Sequence, residues 1–243
     1  MGTVIMPRMV PDLVAPVGDT PIGSQAVGSI VKMNVGGTPY EWIVVNQGKP
    51  SSLYDKSCNG TWLLMKDIYE NRQWNSTDYN DYEKSTINSY LNSSFFNLLD
   101  ANIRSVVKRV RIPYRPGAGE NRTPINSGAS GLASKVFLLS PHEVGFTASD
   151  TGGSAPEDGA RLAYFNNGAG YDIKRVAYWR GTSSSWWLRS PLCNSGRDSV
   201  LAINVYQTGD WNFSYCSYSF GVRPALILPS NAKVDGMGNV IGG

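Results

Sequence analysis

The apolar runs of this sequence are no longer than a β-strand, and glycine, proline or polar turns punctuate the chain between them. Trp42 to Val45, Val136 to Leu139 and Ala225 to Leu228 are among the longest, far short of the roughly 20 residues that cross a bilayer. A chain of this kind assembles its core from many short extended segments. Material for that core is ample. Of the 243 residues 41% are hydrophobic and 11% aromatic, against 17% charged, which argues against wholesale disorder. The formal net charge of +3 is spread without long basic blocks, so no sequence-independent grip on nucleic acid is evident. Met1 to Gly18 has Arg8 but no continuous apolar core and does not read as a secretory signal.

Residues 1–28 carry Pro7, Pro11, Pro16 and Pro21, each of which removes a backbone donor, and read as an extended arm. Ser29 to Met33 and Tyr40 to Val45, joined across Gly36-Gly37, read as a hairpin, and Trp62 to Met65 as a further strand. Ile87, Tyr90, Leu91 and Phe95 fall on one helix face, with Ser85 or Thr86 as the cap. Lys135 to Leu139 is a buried strand candidate, a second helix is expected after Pro141, and Ala160 to Phe165 reads as a short helix before Asn166-Asn167-Gly168. In the last third Leu201, Ile203 and Val205 alternate with Ala202, Asn204 and Tyr206, predicting one inward and one exposed set. Arg223 to Leu228 makes the final strand. Together these elements predict an α+β class, with short mixed strands, two or so helices and long loops.

Catalytic and metal signatures are weak. His142 is the single histidine and has no flanking nucleophile elbow; it reads as a loop or helix-start residue. Asp78, Asp81 and Glu83 lack the glycine and terminal glutamate of a calcium loop and read as a solvated helix start. Gly117, Gly119, Gly128 and Gly131 match no phosphate-binding pattern. Arg109, Arg111, Arg115 and Arg122 form the densest basic stretch, read as a solvated face. Cys58, Cys193 and Cys216 lack C-x-x-C spacing, which leaves a Cys193 to Cys216 bridge open. No enzyme activity, metal or cofactor is therefore predicted.

The informative stretch is 186–225. It opens Trp186-Trp187-Leu188-Arg189-Ser190-Pro191 and closes Gly221-Val222-Arg223-Pro224-Ala225. Between them lie Asn194, Ser195, Asp198, Ser199, Asn204, Tyr206, Asp210, Asn212, Phe213, Ser214, Tyr215, Cys216, Ser217, Tyr218, Ser219 and Phe220, the palette of a binding paratope. Tyrosine gives contact area at low rotamer cost, and serine and asparagine give adaptable hydrogen bonds.

On those two brackets the chain resembles the variable proteins of diversity-generating retroelements, which include phage tail receptor-binding proteins of the major tropism determinant kind. The stretches Tyr40 to Val45, Gly60 to Met65 and Lys135 to Ser140 extend the likeness over residues 29–230. The resemblance implies a C-type-lectin-like fold over 29–230, a variable region at 192–220, and a tail at 231–243 outside the domain. It also implies adenine-directed diversification of AAY codons, which cannot yield Gln207 or Trp211; those two would be fixed positions, and Cys193 and Cys216 products of diversification. Tyr206, Trp211, Tyr215 and Tyr218 would anchor the ligand, while Trp186, Trp187, Arg189, Gly221 and Arg223 form the scaffold. The expected partner is a protein or glycan receptor on a cell surface, met from a phage tail virion or a bacterial surface. Neither nucleic acid nor membrane insertion is expected, and a homo-oligomer is an open possibility. A fixed glycan-binding domain and a structural virion component are the alternatives.

Overall fold

The computed structural model describes residues 18–117, 124–168, 170–193 and 199–242. Ten strands carry the architecture: β1 (Ile30–Val35), β2 (Thr38–Gln47), β3 (Thr61–Met65), β4 (Glu70–Gln73), β5 (Val136–Phe137), β6 (Trp186–Pro191), β7 (Leu201–Val205), β8 (Trp211–Tyr215), β9 (Ser219–Val222) and β10 (Ala225–Leu228). They form two five-stranded sheets, ordered β1-β2-β3-β10-β5 and β8-β7-β6-β9-β4. The first is antiparallel throughout, and the second has one parallel pair, β6 with β9. The β1–β2 hairpin turns at Gly36 and Gly37, whose φ of 60° and 78° belong to the two-residue turn that matches strand twist.

The α+β C-type-lectin-like expectation is overturned. Strand makes up 34% and helix 13% of the described residues, so this is a β-rich fold with few helices. Its substantial helix is α1, residues 86–98, with a π turn at Leu91–Phe95; α2 is the short Ala101–Val106. Ser85 caps α1, its hydroxyl accepting from the Asn88 N–H at 3.2 Å, and Ile87, Leu91 and Phe95 are fully buried. No helix follows Pro141. Gly145 takes a φ of 93°, and an added Cβ there would stand 1.8 Å from the Asn166 carbonyl. Ala160 to Phe165 forms turns instead of a helix, because distant groups take its amides: Ala163 donates to Asn46 Oδ1 and Tyr164 to the Val45 carbonyl.

Chain ends meet in a small sheet. Thr20–Pro21 pairs with Lys233–Val234, which pairs with Val240–Gly242, and Ile22 beside it is fully buried.

A buried ion pair joins the sheets to the loops. Arg189 of β6 meets Glu143 at 2.5 and 2.9 Å, both side chains without exposure. The guanidinium also donates to the carbonyls of Pro113, Leu138 and Asp158, so all five of its donors are used. Glu143 further accepts from the Tyr54 hydroxyl at 2.7 Å and the Ser140 amide at 2.8 Å. Gly159 leaves the room, since a Cβ there would sit 2.2 Å from Ser140 Oγ.

Removing one partner of such a pair strands the other charge. Glu143→Gln is therefore expected to cost about 3–5 kcal/mol in urea unfolding, and an unchanged midpoint would deny the pair this role. Next to it, burial pushes the Asp158 carboxyl above its ordinary 3.8, with Arg189 and the Ser190 hydroxyl opposing. An acid raised on folding favours the native state fully below the unfolded value and progressively less as pH climbs toward the folded one. Asp158→Asn should thus gain stability relative to the wild type as pH is raised from that unfolded value toward neutrality; a pH-independent difference between the two unfolding curves would contradict this.

Candidate binding surface

The bracket motifs have structural counterparts. Trp186 to Pro191 is β6, the middle strand of the second sheet, and is buried along its length. Its side chains are pinned: Trp186 Nε1 donates to the Arg175 carbonyl at 2.9 Å, and Trp187 Nε1 to the Arg72 carbonyl at 3.0 Å. Gly221 to Ala225 carries the chain from β9 of the second sheet to β10 of the first. Gly221 packs so tightly on Ile68 that a Cβ would stand 2.5 Å from it. Arg223, 1% exposed, donates to the carbonyls of Met65 and Lys66.

From this frame the β7–β8 hairpin extends outward. In register Leu201 faces Tyr215, Ile203 faces Phe213 and Val205 faces Trp211, and residues directly opposite share a face. β7 is buried throughout, including Ala202 and Asn204; of the set expected on an exposed face only Tyr206, just past the strand and 41% exposed, is open to solvent. Cover thins at β8, the edge strand among the described residues, whose side chains are half-buried or exposed. Trp211 and Phe213 stand 6.0 Å apart, and Tyr215 and Tyr218 5.6 Å apart. An aromatic row thus runs along the edge, with Phe213 42%, Tyr218 55% and, in the connecting loop, Tyr206 41% exposed.

The loop is held from below. Tyr206 N–H donates to the Asp210 carbonyl, and Gly209 N–H to the Tyr206 carbonyl. Arg175 Nε donates to the Gly209 carbonyl at 2.6 Å, its guanidinium 4.3 Å over the Phe146 ring. Gly209 has a φ of 86° and no space for a Cβ, which would lie 2.4 Å from the Asp172 carbonyl.

Several predicted contact residues carry structural bonds. Asp210 Oδ1 accepts from the Gly170 and Trp211 amides, so it fixes the loop. Asn212 Oδ1 accepts from the Phe213 amide. Ser214 hydroxyl donates to the Phe213 carbonyl and accepts from Asn204 Nδ2 at 3.3 Å. Ser217 is held through its backbone, the amide donating to Asp78 Oδ1 and the carbonyl accepting from Gln73. Asn204 is fully buried, unlike the contact candidates on β8. Asn194, Ser195 and Asp198 fall outside the described residues. Gln207 is exposed and Trp211 half-buried.

Sequence reasoning put Phe213 in the paratope-like palette without naming it as a contact, although the alternation Trp211-x-Phe213-x-Tyr215 places it on the row. It missed Arg175, Glu143 and Asp158, whose partners lie far away in sequence. Ser190 Oγ lies 2.8 and 2.9 Å from the two Asp158 oxygens, but both residues are fully buried. His142 Nδ1 sits 3.1 Å from the Pro156 carbonyl. Cys58, Cys193 and Cys216 are buried thiols with no disulfide between them, and burial pushes Cys58 up to about 12. Among the described residues no three His, Cys, Asp or Glu side chains gather to hold a metal.

Residues 59–230 match the family described as a domain of unknown function, DUF6273, and the chain belongs to that family. No curated protein and no solved structure matches it.

Single replacements Tyr206→Ser, Phe213→Ser and Tyr218→Ser are expected to shift unfolding by no more than roughly 0.5 kcal/mol each. Trp187→Ala should cost about 3–5 kcal/mol. Comparable losses in all four chemical denaturation curves would show the row to be core rather than surface.

Proposed function

We propose that this member of the DUF6273 family is a binding protein, and that residues 206–220 form its recognition surface for a protein or glycan receptor on a cell surface. The observation carrying this reading is the aromatic row Trp211, Phe213, Tyr215 and Tyr218, half-buried to exposed, set on a strand pair whose inner member is fully buried. Aromatic side chains on a rigid support lose little entropy on binding and supply large contact area, and such residues dominate interface energetics. Asn212, Ser214 and Ser217 add polar groups around them.

Diversification by a retroelement fits this division of labour. The bracket residues Trp186, Trp187, Arg189, Gly221 and Arg223 are buried, so variation confined between the brackets would change the display and spare the frame. Display from a phage tail or a bacterial surface follows from that reading, and it needs no cofactor or catalytic step.

The coding sequence tests it most directly. A near-copy of codons 192–220 beside the gene, differing mainly at adenines and accompanied by a reverse transcriptase, is the expected finding. Ordinary codons with no such copy would overturn diversification and favour a fixed glycan-binding surface, since the same rings stack on sugars, or a structural virion role. At the protein level, the triple variant Tyr206→Ala, Phe213→Ala, Tyr218→Ala should lose binding to target cells at least about tenfold while unfolding as the parent does. Retained binding would remove the row from recognition.

A further inference from the structure

Arg223 is a buried cation that forms no ion pair among the described residues. Nε and Nη2 donate to the Met65 and Lys66 carbonyls, both at 2.8 Å, and the guanidinium lies 4.8 Å over the Trp186 ring. Nη1 has no acceptor among the described residues, and none of the ion pairs formed among them includes Arg223. The contrast with Arg189 is sharp, since that guanidinium uses every donor and faces Glu143. Burial pulls Arg223 down to about 10, against weaker opposing effects of Tyr164 and Asp67.

Arg223 lines a groove of about 310 Å³ together with Ile30, Ile43, Tyr164, Ile173 and Tyr178. Its apolar lining is unusually open to solvent: Ile173 is 60%, Tyr178 43% and Ile30 40% exposed. The charged wall is net positive, with Lys66, Lys174 and Arg223 against Asp67. Lys66 is engaged by Glu41 at 2.6 Å, and Asp67 Oδ1 accepts from the Tyr178 amide at 3.1 Å. Lys174 Nζ donates to Asn166 Oδ1 and lies 5.3 Å from the Tyr164 ring centre, which leaves it donors for a ligand.

We propose that this groove binds a small apolar carboxylate, its acid group taken by Arg223 and Lys174 and its apolar body covering Ile30, Ile173 and Tyr178. A carboxylate supplies both things Arg223 lacks, an acceptor and a negative charge, in the planar geometry that guanidinium prefers. The exposed isoleucines and tyrosine gain from being removed from water, and the groove volume is of the size that holds a small molecule. A free aromatic acid and the C-terminal residue of a peptide present the same chemistry. The groove shares no residue with the β7–β8 surface and does not depend on the recognition reading.

Isothermal titration of the full chain with 3-phenylpropionate and with a short peptide ending in phenylalanine, each beside its C-terminal amide, tests this. At least one acid should bind, and its amide should bind at least about tenfold more weakly. Binding of the free acid alone assigns the site to small molecules, and binding of the peptide alone to chain termini; both support the proposal. Arg223→Gln should erase the preference for acid over amide. Should that variant fail to fold, Ile173→Asp and Lys174→Glu, both at the groove surface, are each expected to weaken the acid at least about tenfold with unchanged thermal melting. No binding of either acid at millimolar concentration, equal binding of acid and amide, or undiminished binding by the folded Ile173→Asp variant would overturn the proposal.

Discussion

The Arg189–Glu143 pair is the point on which the structure turns, because one guanidinium donates to acceptors at four other places along the chain. It binds the carbonyl of Pro113 near α2, that of Leu138 beside β5, the Glu143 carboxylate in the turn after Pro141, and the Asp158 carbonyl, while belonging itself to β6. Taking a charge out of water costs least when its partners are complete, and here they are. The loops that cover the second sheet are held where they satisfy this group, which lets an irregular segment such as 140–165 be buried without helix or strand.

With that side fixed, the opposite end of the same sheet is free to present side chains. β6 supplies a fully buried centre, β7 a second buried layer, and β8 an edge at which burial ends. Arg175 repeats the device on a smaller scale, holding Gly209 and Gly170 carbonyls beneath the hairpin loop. Display and support are therefore adjacent in sequence but separated by burial, an arrangement in which exposed residues change without disturbing the core.

The second bracket places its arginine differently. Gly221 to Ala225 crosses between the two sheets, and a crossover has carbonyls on Met65 and Lys66 that need donors; Arg223 supplies them. What it does not receive is a carboxylate. Two arginines from similar short motifs thus have different electrostatic surroundings, one closed by Glu143 and one buried beside a groove with a donor unused.

Local sequence alone determined the β1–β2 hairpin through Gly36-Gly37, the strand at Trp62 to Met65, the start of α1 through the Ser85 cap, and the final strand at Ala225–Leu228. Each rests on turn chemistry, capping or a short apolar run that acts over a few residues. The paratope-like composition of the bracketed segment was equally legible, and it pointed to Tyr206, Trp211, Tyr215 and Tyr218. Tertiary structure alone decided the class. Apolar spacing after Pro141 and at Ala160 to Phe165 suits a helix, yet the amides of 163 and 164 are claimed by Asn46 and Val45 from another part of the chain. It also decided that Asn204 is inside and Phe213 outside, because alternation along a strand sorts residues into two faces without saying whether one face or both will be covered.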